Sequence, residues 1–304
     1  MGNFGYIAPL LAPERHPLWK RLAALFPGHF PPARPKTMGA ITGSLFEWPV
    51  RGYGFRGPGL PMPAWDEARI FLFWDRFWRE LQRREVTVVG LGQGTPQPPP
   101  RVMGLPGFPG TSDGKALELL LFYLNFPRIL DHYEITPPQA TATVIWEEGN
   151  LGLACARLIG PKLRFLNLVH PNFKVLEHAG EIIGAETGLA PRTFTEIPEN
   201  YRKLGIIIGC GRLTNYQAGG SFKGQPRYHL FGPAAAVDGA SFGLSVTMEN
   251  RREVGRLDPA LGEAVLRACF GLEDGYWCGP LLPLERVLEL ERAYKNLSGN
   301  WDSK

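Results

Sequence analysis

Two carboxylates, two glycines and a tryptophan crowd one short stretch of this chain, Trp146-Glu147-Glu148-Gly149-Asn150-Leu151-Gly152. The apolar run 142–146 ahead of it reads as a strand, and the residues behind it open a helix over 150–159. A glycine turn between a strand and a helix lets backbone amides and the positive end of the helix dipole hold a phosphate. Gly149 permits a turn that few other residues adopt, and Gly152 lets the helix lie close on the strand. Against a pyrophosphate, the G-x-G-x-x-G or G-x-x-G-x-x-G pattern is incomplete, with Trp146 where the first glycine would be, and Glu147 and Glu148 would repel an anion. Two uses therefore stay open for Gly149, Asn150, Leu151 and Gly152: a dinucleotide loop, or a turn that keeps only its packing role.

Other residues with chemical capacity lie near predicted strand ends. Gly209-Cys210-Gly211 closes a strand over 205–209, at the carboxyl edge where open α/β sheets bind ligands, with Arg212 beside it. Gln93, Gly94 and Thr95 follow a strand over 86–91 and offer hydrogen bonds to a substrate carbonyl or carboxylate. Lys115 joins them near the start of the next helix, where Ser112 or Asp113 reads as the N-cap. Asp113 and Lys115 are two apart, a spacing that does not share a helix face. Cys269 falls on an apolar stripe with Leu261, Ala264, Val265, Ala268 and Leu272. It reads either as a packed hydrophobe or as a nucleophile, which would need a base such as His229 or Lys115.

The elements that must place these residues alternate. Strands over 5–9, 38–46 and 86–91 are separated by helices over 14–26 and 65–85, with a Gly/Pro-rich loop over 50–63. A helix over 113–132 contains Pro127, expected to kink or split it. Strands over 142–146, 163–169, 193–195, 205–209 and 228–231 then alternate with helices over 150–159 and 173–187, which implies parallel pairing. Helices over 259–270 and 283–297 end the chain.

Composition narrows the class. With 304 residues, 44% of them hydrophobic, and a net charge of +4, the chain has the make-up of a globular protein of two domains or one large one. Its Lys and Arg are scattered, which argues against nucleic acid. No stretch approaches the roughly 20 apolar residues of a membrane span, and the N-terminus MGNFGYIAPL lacks the apolar run of a leader. Four cysteines without C-x-x-C spacing argue against a zinc site and fit a reducing cytoplasm.

The order of these pieces resembles the long-chain acyl-carrier-protein reductases that form fatty aldehydes, within the wider shikimate-dehydrogenase-like Rossmann oxidoreductases. The segments that carry it are Val86–Gly94, Thr111–Leu124, the linker Ile135-Thr136-Pro137-Pro138-Gln139-Ala140, and Ala268-Cys269-Phe270. The resemblance implies a substrate domain over 1–139, a Rossmann-like nucleotide domain over 140–257, and C-terminal helices over 258–304 packing back on the first. It implies NADP or NAD over Gly149–Gly152, His170, Asn172 and Gly209–Gly211, and a small-molecule or acyl-carrier substrate near Gln93, Gly94, Thr95 and Lys115. It also implies an acyl thioester on Cys269, and in shikimate-dehydrogenase-like enzymes a Lys–Asp pair moves the proton. The chain departs from the pattern at Trp146, and at His170-Pro171-Asn172 where an arginine would meet the NADP phosphate. The expectation is a divergent NAD(P)-dependent oxidoreductase; the alternative is a non-catalytic Rossmann-like protein that binds a small ligand or a protein partner. The oligomeric state is not legible.

Overall fold

The computed structural model describes residues 3–8, 36–45, 48–56, 66–92, 95, 97–136, 139–197, 205–211, 213, 227–231, 237–238, 244–248, 256–272, 275–279 and 281–299. In chain order the elements begin with β1 (Asn3–Ala8), β2 (Lys36–Leu45), β3 (Trp48–Arg56), α1 (Glu67–Arg83), β4 (Val86–Leu91), α2 (Pro100–Met103), β5 (Gly110–Ser112) and α3 (Lys115–His132). Next come β6 (Thr141–Trp146), α4 (Leu151–Ile159), β7 (Phe165–Val169), α5 (Phe173–Thr187), β8 (Arg192–Phe194), β9 (Ile206–Cys210) and β10 (Arg227–Leu230). The last are β11 (Val237–Asp238), β12 (Leu244–Met248), β13 (Arg256–Leu257), α6 (Pro259–Phe270), β14 (Tyr276–Trp277) and α7 (Leu284–Gly299). The expected helix over 14–26 lies outside the described residues. The chain divides into two compact units, one of Met1–Leu117, Ala236–Gly279 and Arg292–Lys304, the other of Glu118–Ala235 and Pro280–Glu291. The fold class is the expected one, a two-unit Rossmann-like α/β fold with mostly parallel sheets.

The first unit holds a seven-stranded mixed sheet in the order β12-β2-β3-β1-β4-β5-β14. Over 50–56, β3 overturns the loop expected over 50–63, since it pairs antiparallel with β2 along its whole length and parallel with β1; residues 57–63 lie outside the described residues. The glycines that suggested a loop make room for a neighbour instead. A Cβ on Gly52 would come within 2.5 Å of the Phe4 ring, so the strand needs glycine to lie against an aromatic from β1. On α1, Asp66 caps the helix by accepting from the Arg69 amide at 2.8 Å. Phe73, Trp74, Phe77 and Leu81 on its inner face are buried against Ile7, Phe55, Val86 and Val89.

α6 packs on β1, β4 and β5 and is buried from Pro259 through Ala268. It is capped by Asp258, which accepts from the Ala260 amide at 2.8 Å, with Pro259 in its first turn and Gly271 left-handed at its end. It lies so close to the sheet that a Cβ on Gly90 of β4 would fall 2.3 Å from the Ala260 carbonyl oxygen.

In the second unit β10-β9-β6-β7-β8 form a five-stranded sheet, parallel throughout. Counted from β6, this is the order 3-2-1-4-5 of a doubly wound α/β sheet. α3 carries Pro127 without being split. Proline there leaves the Tyr123 carbonyl without its usual intrahelical donor. The Lys162 ammonium takes that role at 3.4 Å, while sitting 3.8 Å from the Tyr123 ring centroid.

Because the obstruction at Gly90 is backbone, Gly90→Ala is expected to destabilise the protein by about 1–3 kcal/mol, the usual range for overpacking. The check is a lower urea midpoint at an unchanged m-value.

Candidate functional site

In the second unit the sheet reverses direction of growth between β6 and β9, the switch point where open α/β sheets take their ligands. There Trp146 is in register with Cys210. Gly149 adopts φ 65° in the turn that follows β6, and Gly211 adopts φ 78° after β9. The two turns meet, for a Cβ on Gly211 would lie 3.5 Å from a Leu151 methyl. By helix geometry the amides of Leu151, Gly152 and Leu153 have no intrahelical acceptor. That leaves donors suited to an anion.

Side chains of the chain itself fill much of the remaining space. The Trp146 indole is fully buried and lies against Gly152, where a Cβ would be 2.4 Å from the ring. Its centroid is 5.0 Å from that of His170, and its Nε1 has no hydrogen-bond partner. Gly152 thus keeps the close helix–strand packing of a third Rossmann glycine, with an indole as the packed surface. Asn150 caps nothing with its side chain. Its Oδ1 accepts from the Leu282 amide at 2.6 Å, and its Nδ2 donates to the Leu282 carbonyl at 3.1 Å. Glu147 is half-buried and Glu148 exposed.

His170 and Asn172 build the start of α5. The Asn172 amide donates to His170 Nδ1 at 3.0 Å, and Asn172 Oδ1 accepts from the Lys174 amide at 2.9 Å. Past β9, His229 Nε2 donates to the Gly211 carbonyl at 2.7 Å, and Leu213 comes within 2.8 Å of where a Cβ on Gly209 would be. Cys210 is buried, its thiol pushed well up by burial and by the neighbouring Cys155.

The first unit gathers a different set. α6 is apolar on all sides apart from Glu263 and Arg267, and both are fully buried. Glu263 Oε1 accepts from the Ser112 hydroxyl at 2.5 Å, and Oε2 accepts from the Leu117 amide at 2.9 Å. A carboxylate from α6 therefore serves the first turn of α3, alongside the expected local caps. Ser112 Oγ accepts from the Gly114 amide at 3.3 Å and Asp113 Oδ1 from the Lys115 amide at 3.3 Å. Arg267 donates to the carbonyls of Thr111, Leu272 and Gly275 at 2.6, 2.9 and 3.1 Å. Its guanidinium carbon lies 4.1 Å from the Trp277 ring centroid.

On the rim of this cluster Lys115 Nζ meets Asp113 Oδ2 at 2.5 Å and donates to the Gly279 carbonyl at 2.5 Å. The Gly279 amide donates back to Asp113 at 3.0 Å. The helix-face rule does not govern this pair, because Lys115 is the first residue of α3 and Asp113 precedes it. Their side chains are 23% and 17% exposed, so an ammonium and a carboxylate are held together with part of each open to solvent. Thr95 donates its amide to the Gly92 carbonyl at 3.0 Å, while Gln93, Gly94 and Arg212 lie outside the described residues. Cys269 is half-buried near the end of α6, and burial pushes its thiol up to about 11.

Sequence reasoning overlooked Glu263 and Arg267, although a signal was present. A helix apolar all round is buried, so charges at i and i+4 within it must be buried too, and buried charges need partners. Among the described residues no group of His, Cys, Asp and Glu is arranged to hold a metal. No described helix is long and apolar enough to cross a membrane.

No family model matches the chain, and no curated protein matches it. Among solved structures it is similar to L-tryptophan dehydrogenase from Nostoc punctiforme, at 15% identity and a TM-score of 0.31. The match covers 55% of this chain and 46% of that one. At that similarity nothing of the dehydrogenase's chemistry passes to this chain.

Burial, and next to it the charge of Asp113, pushes the Glu263 carboxyl up to about 7. Folding then favours its protonated form, so stability is full below the unfolded carboxyl pKa and falls as pH rises to about 7. The loss amounts to roughly 3 kcal/mol. In Glu263→Gln, whose amide oxygen can accept from the Leu117 amide while its NH2 donates to the Ser112 hydroxyl, denaturation midpoints at pH 5 and pH 7.5 should differ less than in the wild type. At Cys269 the small thiolate fraction predicts alkylation by iodoacetamide at neutral pH at least ~100-fold slower than a free thiol. Mass mapping of the labelled cysteines reads this directly.

Proposed function

We propose that the chain is a Rossmann-type oxidoreductase that reduces a carbonyl with NADP or NAD. The observation that carries this reading is the parallel sheet in the order β10-β9-β6-β7-β8, with left-handed Gly149 and Gly211 at its switch point. The residues there fit a dinucleotide in part. The amides opening α4 suit a phosphate, and Gly152 keeps its packing role. When bound, the nicotinamide would supply the hydride. The proton comes from the Lys115 ammonium, which Asp113 holds in place and whose charge it balances. In the direct route Lys115 would give its proton to the carbonyl oxygen.

The covalent variant, in which Cys269 first takes an acyl group from a thioester, needs that thiol deprotonated as the acyl group arrives. The Ala268-Cys269-Phe270 resemblance supports it, whereas burial of the thiol supports the direct route. A second, non-catalytic reading draws on the two bonds between Asn150 and Leu282 and on the indole packed beneath Gly152. In that reading the turn is closed by the chain's own residues and serves packing alone.

Thermal shift with NADH and NADPH separates these readings. Under the oxidoreductase reading one of the two raises the melting temperature, since ligand at 100 times its Kd adds about 2.7 kcal/mol. No shift with either at millimolar concentration favours the non-catalytic reading. Lys115→Met should keep the cofactor shift and lose about 100-fold in carbonyl-dependent NAD(P)H oxidation, the usual contribution of a general acid. Cys269→Ala leaves that rate unchanged in the direct route and abolishes it in the covalent one.

A further inference from the structure

The Lys115–Asp113 pair owes its place to α6, an element far from it in sequence. Asp113 lies between Ser112, whose hydroxyl donates to Glu263, and Leu117, whose amide donates to the other oxygen of the same carboxylate. One buried side chain thus clamps both flanks of the segment that carries the pair. We propose that Glu263 is the positioning residue for Lys115, fixing through Ser112 and the first turn of α3 both the location of its ammonium and the electrostatic environment around it. This rests on the reading of Lys115 and Asp113 as the proton-transfer pair.

Among the described residues, the groups that act on Glu263 come from its own helix and from the start of α3. Asp113 on the β5–α3 connection disfavours its charge, while Arg267 one turn along α6, the Ser112 hydroxyl and the Leu117 amide favour it. Cys278, which follows β14, senses the charges of Glu263, Asp113 and Lys115, and burial keeps its thiol protonated. Glu263 is the member of this set that changes charge near neutrality, and Asp113 links it to Lys115 by field on one side and ion pair on the other. A carboxylate that only capped α3 would leave the lysine indifferent to its charge. A positioning carboxylate makes the lysine report it.

The experiment uses full-length protein containing lysine labelled with carbon-13 and nitrogen-15, and follows the Lys115 Nζ resonance through its Cε protons between pH 5 and pH 9. The resonance is assigned by its absence in Lys115→Arg. The expected result is an inflection near pH 7 in the wild type and its loss in Glu263→Gln. Ser112→Ala, which removes a donor to the charged carboxylate, should move the inflection to higher pH. A wild-type resonance without an inflection overturns the proposal, as does an inflection that survives Glu263→Gln or stays in place in Ser112→Ala. Should Glu263→Gln fail to fold, the wild-type and Ser112→Ala titrations still decide. Turnover by Lys115→Met reports separately on the proton-transfer reading, so either can fail without the other.

Discussion

The first unit depends on the burial of α6. A helix lying within a Cβ's width of β4 cannot turn a charged face to water, so the acidic and the basic residue on it have to find partners inside. Arg267 takes three backbone carbonyls and an aromatic ring. Glu263 takes a hydroxyl and an amide at the start of another helix. Leaving either group unmatched would cost several kcal/mol. These bonds therefore dictate where β5 ends, where α3 begins, and how the chain returns through Gly275–Gly279. The half-buried Lys115–Asp113 pair stands on that framework.

The second unit solves a different problem. Its sheet is parallel throughout, so its strand ends cluster at one edge and its turns have to accommodate one another there. Gly149 and Gly211 supply the conformations that ordinary residues resist. The bulk that a glycine-rich loop usually lacks is restored by Trp146, Leu151 and Leu213. The same edge is thereby organised for a ligand in its backbone and packed like a core in its side chains.

Much of this was legible from residues alone. The limits of α5 and α6 match the sequence reading because both helices carry end signals. For α5 these are Asn172 and Gly188, and for α6 Asp258-Pro259 and Gly271. Glycine was the misleading residue. In β3 it marks close packing against Phe4 where the sequence suggested a loop, and only the neighbouring strand reveals the difference. The ion pair of Asp113 and Lys115 was hidden for a related reason, because its geometry depends on where α3 starts, and that start is set partly by Glu263, far along the chain. Cys269 was visible as a residue on an apolar stripe, but its thiol's environment comes from tertiary burial. Strand pairings of two or three residues, such as β5 with β14, leave no periodicity to read.

Trp146 and Gly152 interlock so closely that neither position is free to drift alone. A methyl group added at 152 collides with the indole, and an indole removed at 146 leaves a hole of the kind that costs about 3–5 kcal/mol. Placing a glycine at 146 would therefore require several neighbouring residues to change together, so packing holds the turn in place whatever ligand it meets.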